Sequence, residues 1–157
     1  MAELRPARDD DADGVIALIA RVFTEYPGCV LDVDKEEPEL RAPASLYDRF
    51  WVLEQAGEIV GCSACAIAPP VVELKKIYLD AQMRGQGWGR RLIELVEDEA
   101  RAGGVARLEA WSDTRFLTAH AVYRRLGYAQ GPKTRLLHDL SETEEYFFSK
   151  VLLAPIR

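Results

Sequence analysis

The chain is short of cysteine, histidine, basic charge and long apolar runs. Its three cysteines, Cys29, Cys62 and Cys65, are an odd number without framework spacing, which excludes a disulfide-stapled scaffold. Cys62 and Cys65 form a C-x-x-C, but on a strand residues three apart point to opposite faces. Only His120 and His138 could complete four zinc ligands, so no metal is expected and the thiols read as small buried apolar groups. The longest apolar runs, such as Val15–Ala20, fall far short of the roughly 20 residues of a membrane span. Met1 to Gly14 is charged and acidic, with no apolar core of a secretory signal, so the expected location is cytoplasmic with no membrane partner. Lys and Arg total 20 against 26 Asp and Glu, a net charge of −6, which argues against a nucleic-acid partner.

What is present is ordinary for a globular protein: 48% hydrophobic and 29% charged residues in 157. That length supports one core without staples, and no repeat, low-complexity tract or linker divides it, so a single domain over residues 1–157 is expected. Charge is uneven. Residues 1–70 carry 6 basic and 14 acidic side chains, residues 71–157 carry 14 and 12. The first part suits a cationic partner and the second tolerates an anionic one, unless both are simply solvated surface.

Hydrophobic spacing predicts a short strand at Leu4–Ala7 and a helix with its apolar stripe at Val15, Leu18, Ile19, Val22 and Phe23, stopped by Tyr26-Pro27-Gly28. Leu31–Ser45 reads as a loop with one helical turn. Phe50–Glu54 and Glu58–Ala66 read as a hairpin about Gln55-Ala56-Gly57, and Val71–Leu79 as a further strand. Gly87–Arg101 is a strong helix ended by Gly103-Gly104. Val105–Trp111 is a strand, Phe116–Leu126 a helix, and Thr134–Leu140 and Glu144–Leu153 the last strands. A crossover helix between Val71–Leu79 and Val105–Trp111 makes those two strands parallel within a mixed α/β sheet.

The informative stretch joins that strand to that helix: Arg84-Gly85-Gln86-Gly87-Trp88-Gly89-Arg90. Glycines let the backbone approach an anion and adopt positive φ, and the first-turn N–H groups of a helix offer unpaired donors at its positive end. That combination binds phosphate or pyrophosphate. A Walker A lysine is absent and the glycine spacing is not that of a dinucleotide fingerprint.

Arg84, Gly87 and Gly89 match the Arg/Gln-x-x-Gly-x-Gly/Ala signature, and the segment resembles the GNAT superfamily of acyl-CoA-dependent N-acyltransferases. Ala119 to Tyr128 is similar to that family's Ala-x-x-Leu-Tyr-x-x-x-Gly-Phe helix, with Val122 for Leu and Tyr128 for Phe. The resemblance implies an α/β (α+β) fold with a mostly antiparallel sheet, a central parallel pair splayed around the CoA site and helices on both faces. It implies acetyl-CoA as cosubstrate, its pyrophosphate held by backbone N–H groups of Arg84, Gly85, Gln86, Gly87, Trp88, Gly89 and Arg90. The backbone of Ile77, Tyr78 and Leu79 would pair with the pantetheine arm, and an N–H there, such as that of Tyr78, would polarise the thioester carbonyl. An amine attacks that carbonyl directly and thiolate leaves.

On this resemblance Glu73 is the candidate general base and Tyr123 the acid that protonates the sulfur. Glu73 reads equally as a strand-edge carboxylate paired with Lys75 or Lys76, and Tyr123 has a packing alternative. Many relatives carry Asn where this chain has Phe116. His120 reads as a cleft residue or an exposed helical one, Trp88 as a cover for CoA or an anchor of the helix start. Trp51 and Trp111 read as core or sheet-face aromatics, and Cys29 is a candidate acyl-enzyme nucleophile that the lack of a histidine near it in sequence argues against. The carboxylates Asp32, Asp34, Glu36, Glu37 and Glu39 fall where the family builds acceptor specificity and favour a polyamine, aminosugar or basic peptide, if they are not merely solvated. The expected function is N-acetyl transfer to a small-molecule or peptide amine. The rival class is a non-catalytic acyl-CoA-binding module, which retention of Glu73 and Tyr123 disfavours. A homodimer through strand 146–152 is a further expectation.

Overall fold

The computed structural model of the chain describes residues 1–152. Strand β1 (Glu3–Pro6) leads through a 3-10 turn into helix α1 (Ala12–Phe23). Two single-turn helices, α2 (Val33–Glu36) and α3 (Pro43–Leu46), with a 3-10 turn between them, occupy the stretch expected as a loop with one turn. Then come β2 (Arg49–Gln55), β3 (Glu58–Ala68), β4 (Val71–Leu79), α4 (Trp88–Ala102), β5 (Arg107–Asp113), α5 (Leu117–Arg125), β6 (Ala129–Leu136) and β7 (Glu144–Val151).

One seven-stranded sheet has the order β1-β2-β3-β4-β5-β7-β6. Every pairing is antiparallel except β4 with β5. Alternation places Trp51, Cys65, Val72, Leu74, Leu108 and Ala110 on one face, where they pack with Ile93, Val96 and Ala100 of α4 and Tyr123 of α5. The other face carries Phe50, Val52, Ile59, Cys62 and Ala64 under the stripe Val15, Leu18, Ile19 and Val22 of α1. Cys62 and Cys65 are therefore buried, free and on opposite faces. No helix among the described residues is long and apolar enough to cross a membrane.

Three expectations need correction. The strand expected at Thr134–Leu140 lies earlier, at Ala129–Leu136. Gly131-Pro132 reads as a breaker, but it sits at the sheet edge, where a register shift between Gln130 and Thr134 absorbs it. Residues 137–143 instead form a turn closed by the Leu137 amide on the Thr143 carbonyl at 2.8 Å, with the Asp139 carboxylate accepting from the Thr143 amide and hydroxyl. Strand β5 runs two residues beyond the expected Trp111, because Ser112 and Asp113 pair with Tyr146 and Glu145 of β7. Strand β7 has β5 on one side and β6 on the other, so it offers no free edge to a second copy; the free edges are β1 and β6. Leu153, expected in the last strand, lies outside the described residues.

Candidate active site

Strands β4 and β5 pair only from Val71–Arg107 to Leu74–Ala110. Beyond that point β4 continues to Leu79 and β5 to Asp113 without pairing, so the β5 side of residues 75–79 has no strand partner. A bulge causes the divergence. Lys76 has φ +51°, and the register with β3 shifts between Ala64–Lys75 and Cys62–Tyr78. The Cys62 thiol donates to the Lys76 carbonyl at 3.1 Å, which holds the bulge in place.

At the C-terminal end of β4 the Asp80 carboxylate accepts from the Gln82 amide at 3.1 Å and sets a single 3-10 turn. Gly85 and Gly87 follow with φ +78° and +86°, a region that side-chain-bearing residues rarely adopt, and nothing lies within 4 Å of where a Cβ would stand. Gly87 caps α4, whose first bonded amide is Arg91 on the Gly87 carbonyl at 3.2 Å. The N–H groups of Gly85 to Arg90 have no acceptor among the described residues, and they gather at the positive end of a fifteen-residue helix. The Arg84 amide differs, since it donates to Ala81 at 3.3 Å. Its guanidinium grips Glu25 bidentately and donates to the Leu79 carbonyl at 3.0 Å, tying α1 to the loop. Arg90 is exposed beside Glu94. Trp88 is partly buried against the cluster of Leu53, Val60 and Met83, which ties the start of α4 to the sheet.

Behind the free amides runs an apolar slot between Ile77–Leu79 of β4, Gly89 and Ile93 of α4, and Ala119, Val122 and Tyr123 of α5. It adjoins a cavity of about 750 Å³. Ile77, Tyr78, Phe116, Ala119 and Tyr123 line both spaces. Phe116 packs against Tyr26 and Phe23, with centroids at 4.8 and 6.4 Å, and edge-on to Tyr78 at 6.2 Å. An arm with an anionic end fits this arrangement: amides for the anion, an apolar slot for the arm, an open strand edge beside it.

Glu73 and Tyr123 both line the large cavity. The Glu73 side chain is 30% exposed, 3.5 Å from the Lys75 ammonium and in register with Glu109 of β5. Tyr123 is buried on Phe148 and Tyr128, and burial drives its phenol well above the ordinary value, so it stays protonated. Its hydroxyl has no hydrogen-bond partner among the described residues.

Spacing gave no sign of several cavity groups. Lys76 turns inward from the bulge to pair with Glu37 of the α2 segment, and burial pulls its ammonium down to about 8 while Glu145 holds it up. Glu36 and Glu39 join Glu37 in the wall, whereas Asp32 caps α2 and Asp34 pairs with Arg41, so three of the five loop carboxylates face the cavity. Asp113 is held by Arg115, which donates to both carboxylate oxygens at 2.9 and 2.8 Å. His120 is neither exposed nor in the cavity wall: it is buried behind Ser112. Cys29 reaches the cavity, but burial raises its thiol pKa, contrary to what a nucleophile needs. No group of three or more His, Cys, Asp or Glu side chains suited to a metal occurs among the described residues.

The acetyltransferase (GNAT) family model matches residues 15–128, and the IAA acetyltransferase of Azospirillum brasilense is 40% identical over 136 residues, covering 84% of this chain and 89% of that protein. The chain belongs to the GNAT acetyltransferase family. It is an acyl-CoA-dependent N-acetyltransferase. The aminoalkylphosphonate N-acetyltransferase of Salmonella typhimurium is 28% identical over 139 residues, 83% of this chain and 86% of its own. A GNAT-family acetyltransferase structure from Staphylococcus aureus Mu50 superposes with a TM-score of 0.83 at 17% identity, over 98% of this chain and 100% of that one, which shows the same fold. The fold expected from the acetyltransferase signature, a mostly antiparallel sheet with one parallel central pair and flanking helices, is the fold observed.

Proposed function

We propose that this acetyltransferase joins the acetyl group to a primary amine by direct attack, with Glu73 and Tyr123 as its proton-handling residues. When bound, acetyl-CoA supplies an activated acetyl thioester. Free amides from Gly85 to Arg90 hold its pyrophosphate, and the unpaired edge at Ile77, Tyr78 and Leu79 aligns the arm. Of these, the Leu79 carbonyl is already shared with Arg84. Glu73, at the wall of the amine chamber, takes up the ammonium proton directly or through water. Tyr123, protonated and lining both spaces, gives a proton to the departing sulfur.

The observation that carries this reading is the parting of β4 and β5 at Leu74 with six unpaired amides at the far end of the gap. A module that only holds acyl-CoA has no use for a second chamber of about 750 Å³ beside it. The carboxylates Glu36, Glu37, Glu39 and Glu73 on its wall support an acceptor carrying positive charge beyond the reacting nitrogen. The test is CoA release, read with a thiol reagent, over a panel of spermidine, glucosamine, 2-aminoethylphosphonate and a lysine-rich peptide. Turnover is expected with a cationic member. Binding of acetyl-CoA with no turnover across a wide amine panel would overturn the catalytic assignments.

A further inference from the structure

We infer that Ser112 donates its hydroxyl hydrogen to the acyl carbonyl of the bound thioester and that His120 is the positioning residue that orients it. The inference rests on the proposed function. His120, on α5, is 1% exposed; its Nε2 stands 3.1 Å from Ser112 Oγ, and its Nδ1 is buried without a hydrogen-bond partner among the described residues. Two tautomers fit that contact. A proton on Nδ1 would bury a donor with no acceptor, which is costly. A proton on Nε2 leaves only a lone pair at Nδ1, among the rings of Tyr146 and Phe148 at centroid distances of 5.4 and 5.2 Å. Nε2–H therefore donates to Ser112 Oγ.

The groups facing the imidazole keep it neutral. Burial lowers its pKa most; the Asp113 backbone, as a hydrogen-bond partner on β5, and the Asp113 charge pull the other way, Arg124 of the same helix adds to the lowering, and β7 brings Tyr146 and Phe148. With its oxygen accepting from His120, Ser112 has a free hydroxyl hydrogen and no other partner among the described residues. A hydroxyl that accepts in this way is a stronger donor. Ser112 lies two residues past Ala110, where β5 leaves β4, is 7% exposed and lines the chamber wall shared with Tyr123, one helical turn from His120. A donor in that gap suits a carbonyl oxygen: an ammonium brings only hydrogens and a sulfur accepts poorly.

The experiment is calorimetric titration of acetyl-CoA and of CoA into the wild type, S112A, H120Q and H120F. A difference between the two ligands isolates the acyl carbonyl from the amide carbonyls of the arm, which both contain. We expect S112A and H120F to bind acetyl-CoA about fivefold more weakly, with CoA unchanged. H120Q, whose side-chain amide replaces Nε2–H, should bind as the wild type. The carbonyl stretch of bound, carbon-13-labelled acetyl-CoA should rise in S112A and H120F only. Should S112A fold poorly, S112C makes the same comparison with a weak donor. Equal weakening of both ligands, or no change in either, overturns the inference. A wild type that binds neither ligand instead overturns the proposed function.

Discussion

The two sides of the active site are built from different materials. On the proposed cofactor side the available groups are backbone: amides freed at Gly85 and Gly87, and the strand edge beside the bulge at Lys76. On the acceptor side they are side chains drawn from distant segments: Glu36, Glu37 and Glu39 of the α2 region, Glu73 and Lys76 of β4, Asp113 of β5 and Glu145 of β7. Several are already ion-paired, as in Lys76–Glu37, Asp113–Arg115 and Glu145–Arg135. A backbone site is fixed by the path of the chain and tolerates almost any side chain beyond the glycines. A side-chain site can be rewritten residue by residue without moving the path. In the proposed reading the acyl donor meets the first, and the acceptor meets the second.

Substitutions should respect that division. The largest effect is expected at Gly87: G87V forces a branched side chain to φ +86° and places a Cβ in the space before the free amides. It should weaken acetyl-CoA about a hundredfold by calorimetry, the equivalent of one or two charge-assisted hydrogen bonds. Next comes Y123F. Loss of a positioned acid should lower kcat about a hundredfold, with acetyl-CoA affinity unchanged. A wild-type kcat would return Tyr123 to packing on Phe148 and Tyr128. E73Q should lower the rate about tenfold or more, again without weakening acetyl-CoA; full activity would remove Glu73 from the chemistry.

Two smaller effects sharpen the comparison. E37Q unpairs Lys76 and removes one wall carboxylate, so with the best amine of the panel it should raise the acceptor KM severalfold and leave the acetyl-CoA Kd alone. If it weakened acetyl-CoA as much, the two sides would not be separable. D11N is the control outside both. The Arg5 guanidinium holds the Asp11 carboxyl below its ordinary value, and Asp11 also accepts from the Arg8 amide at 2.7 Å. That stabilisation is complete above the unfolded carboxyl's pKa of about 4 and fades as pH falls through the lower folded value. D11N should therefore cost about 2 kcal/mol at pH 7, with the gap to wild type closing below about pH 4, and should spare both ligands. Melting curves across pH check it.

The same division governs how much could be read from the sequence. The elements of the proposed cofactor side are legible because their determinants are local: glycines at 85, 87 and 89 between a strand and a helix, and Tyr123 on the next helix. Strand β4 was placed with its observed limits for the same reason, a run of branched and large residues ended by Asp80. The bulge at Lys76 was not legible, since nothing in the local residues marks a positive φ there. Ser112 and Asp113 were missed because they are poor strand formers kept in β5 by pairing with β7. His120 reads as much like a surface residue as a cleft residue because a lone imidazole between Ala119 and Ala121 suits either place; packing of Tyr146 and Phe148 against it decides its burial. The acidic loop was recognised as a candidate wall, but its partner Lys76 lies 39 residues further on and only the fold brings them together.

The most direct test of the central claim, that the parted strands and the free amides form an acyl-CoA site, is thermal unfolding of the wild type and G87V with and without acetyl-CoA. At a ligand concentration one hundred times the dissociation constant the stabilisation is about 2.7 kcal/mol, which for a chain of this size raises Tm by roughly 5–10 °C. The account predicts that shift for the wild type and little or none for G87V at the same concentration. No shift in the wild type at millimolar acetyl-CoA, or an equal shift in G87V, would contradict it.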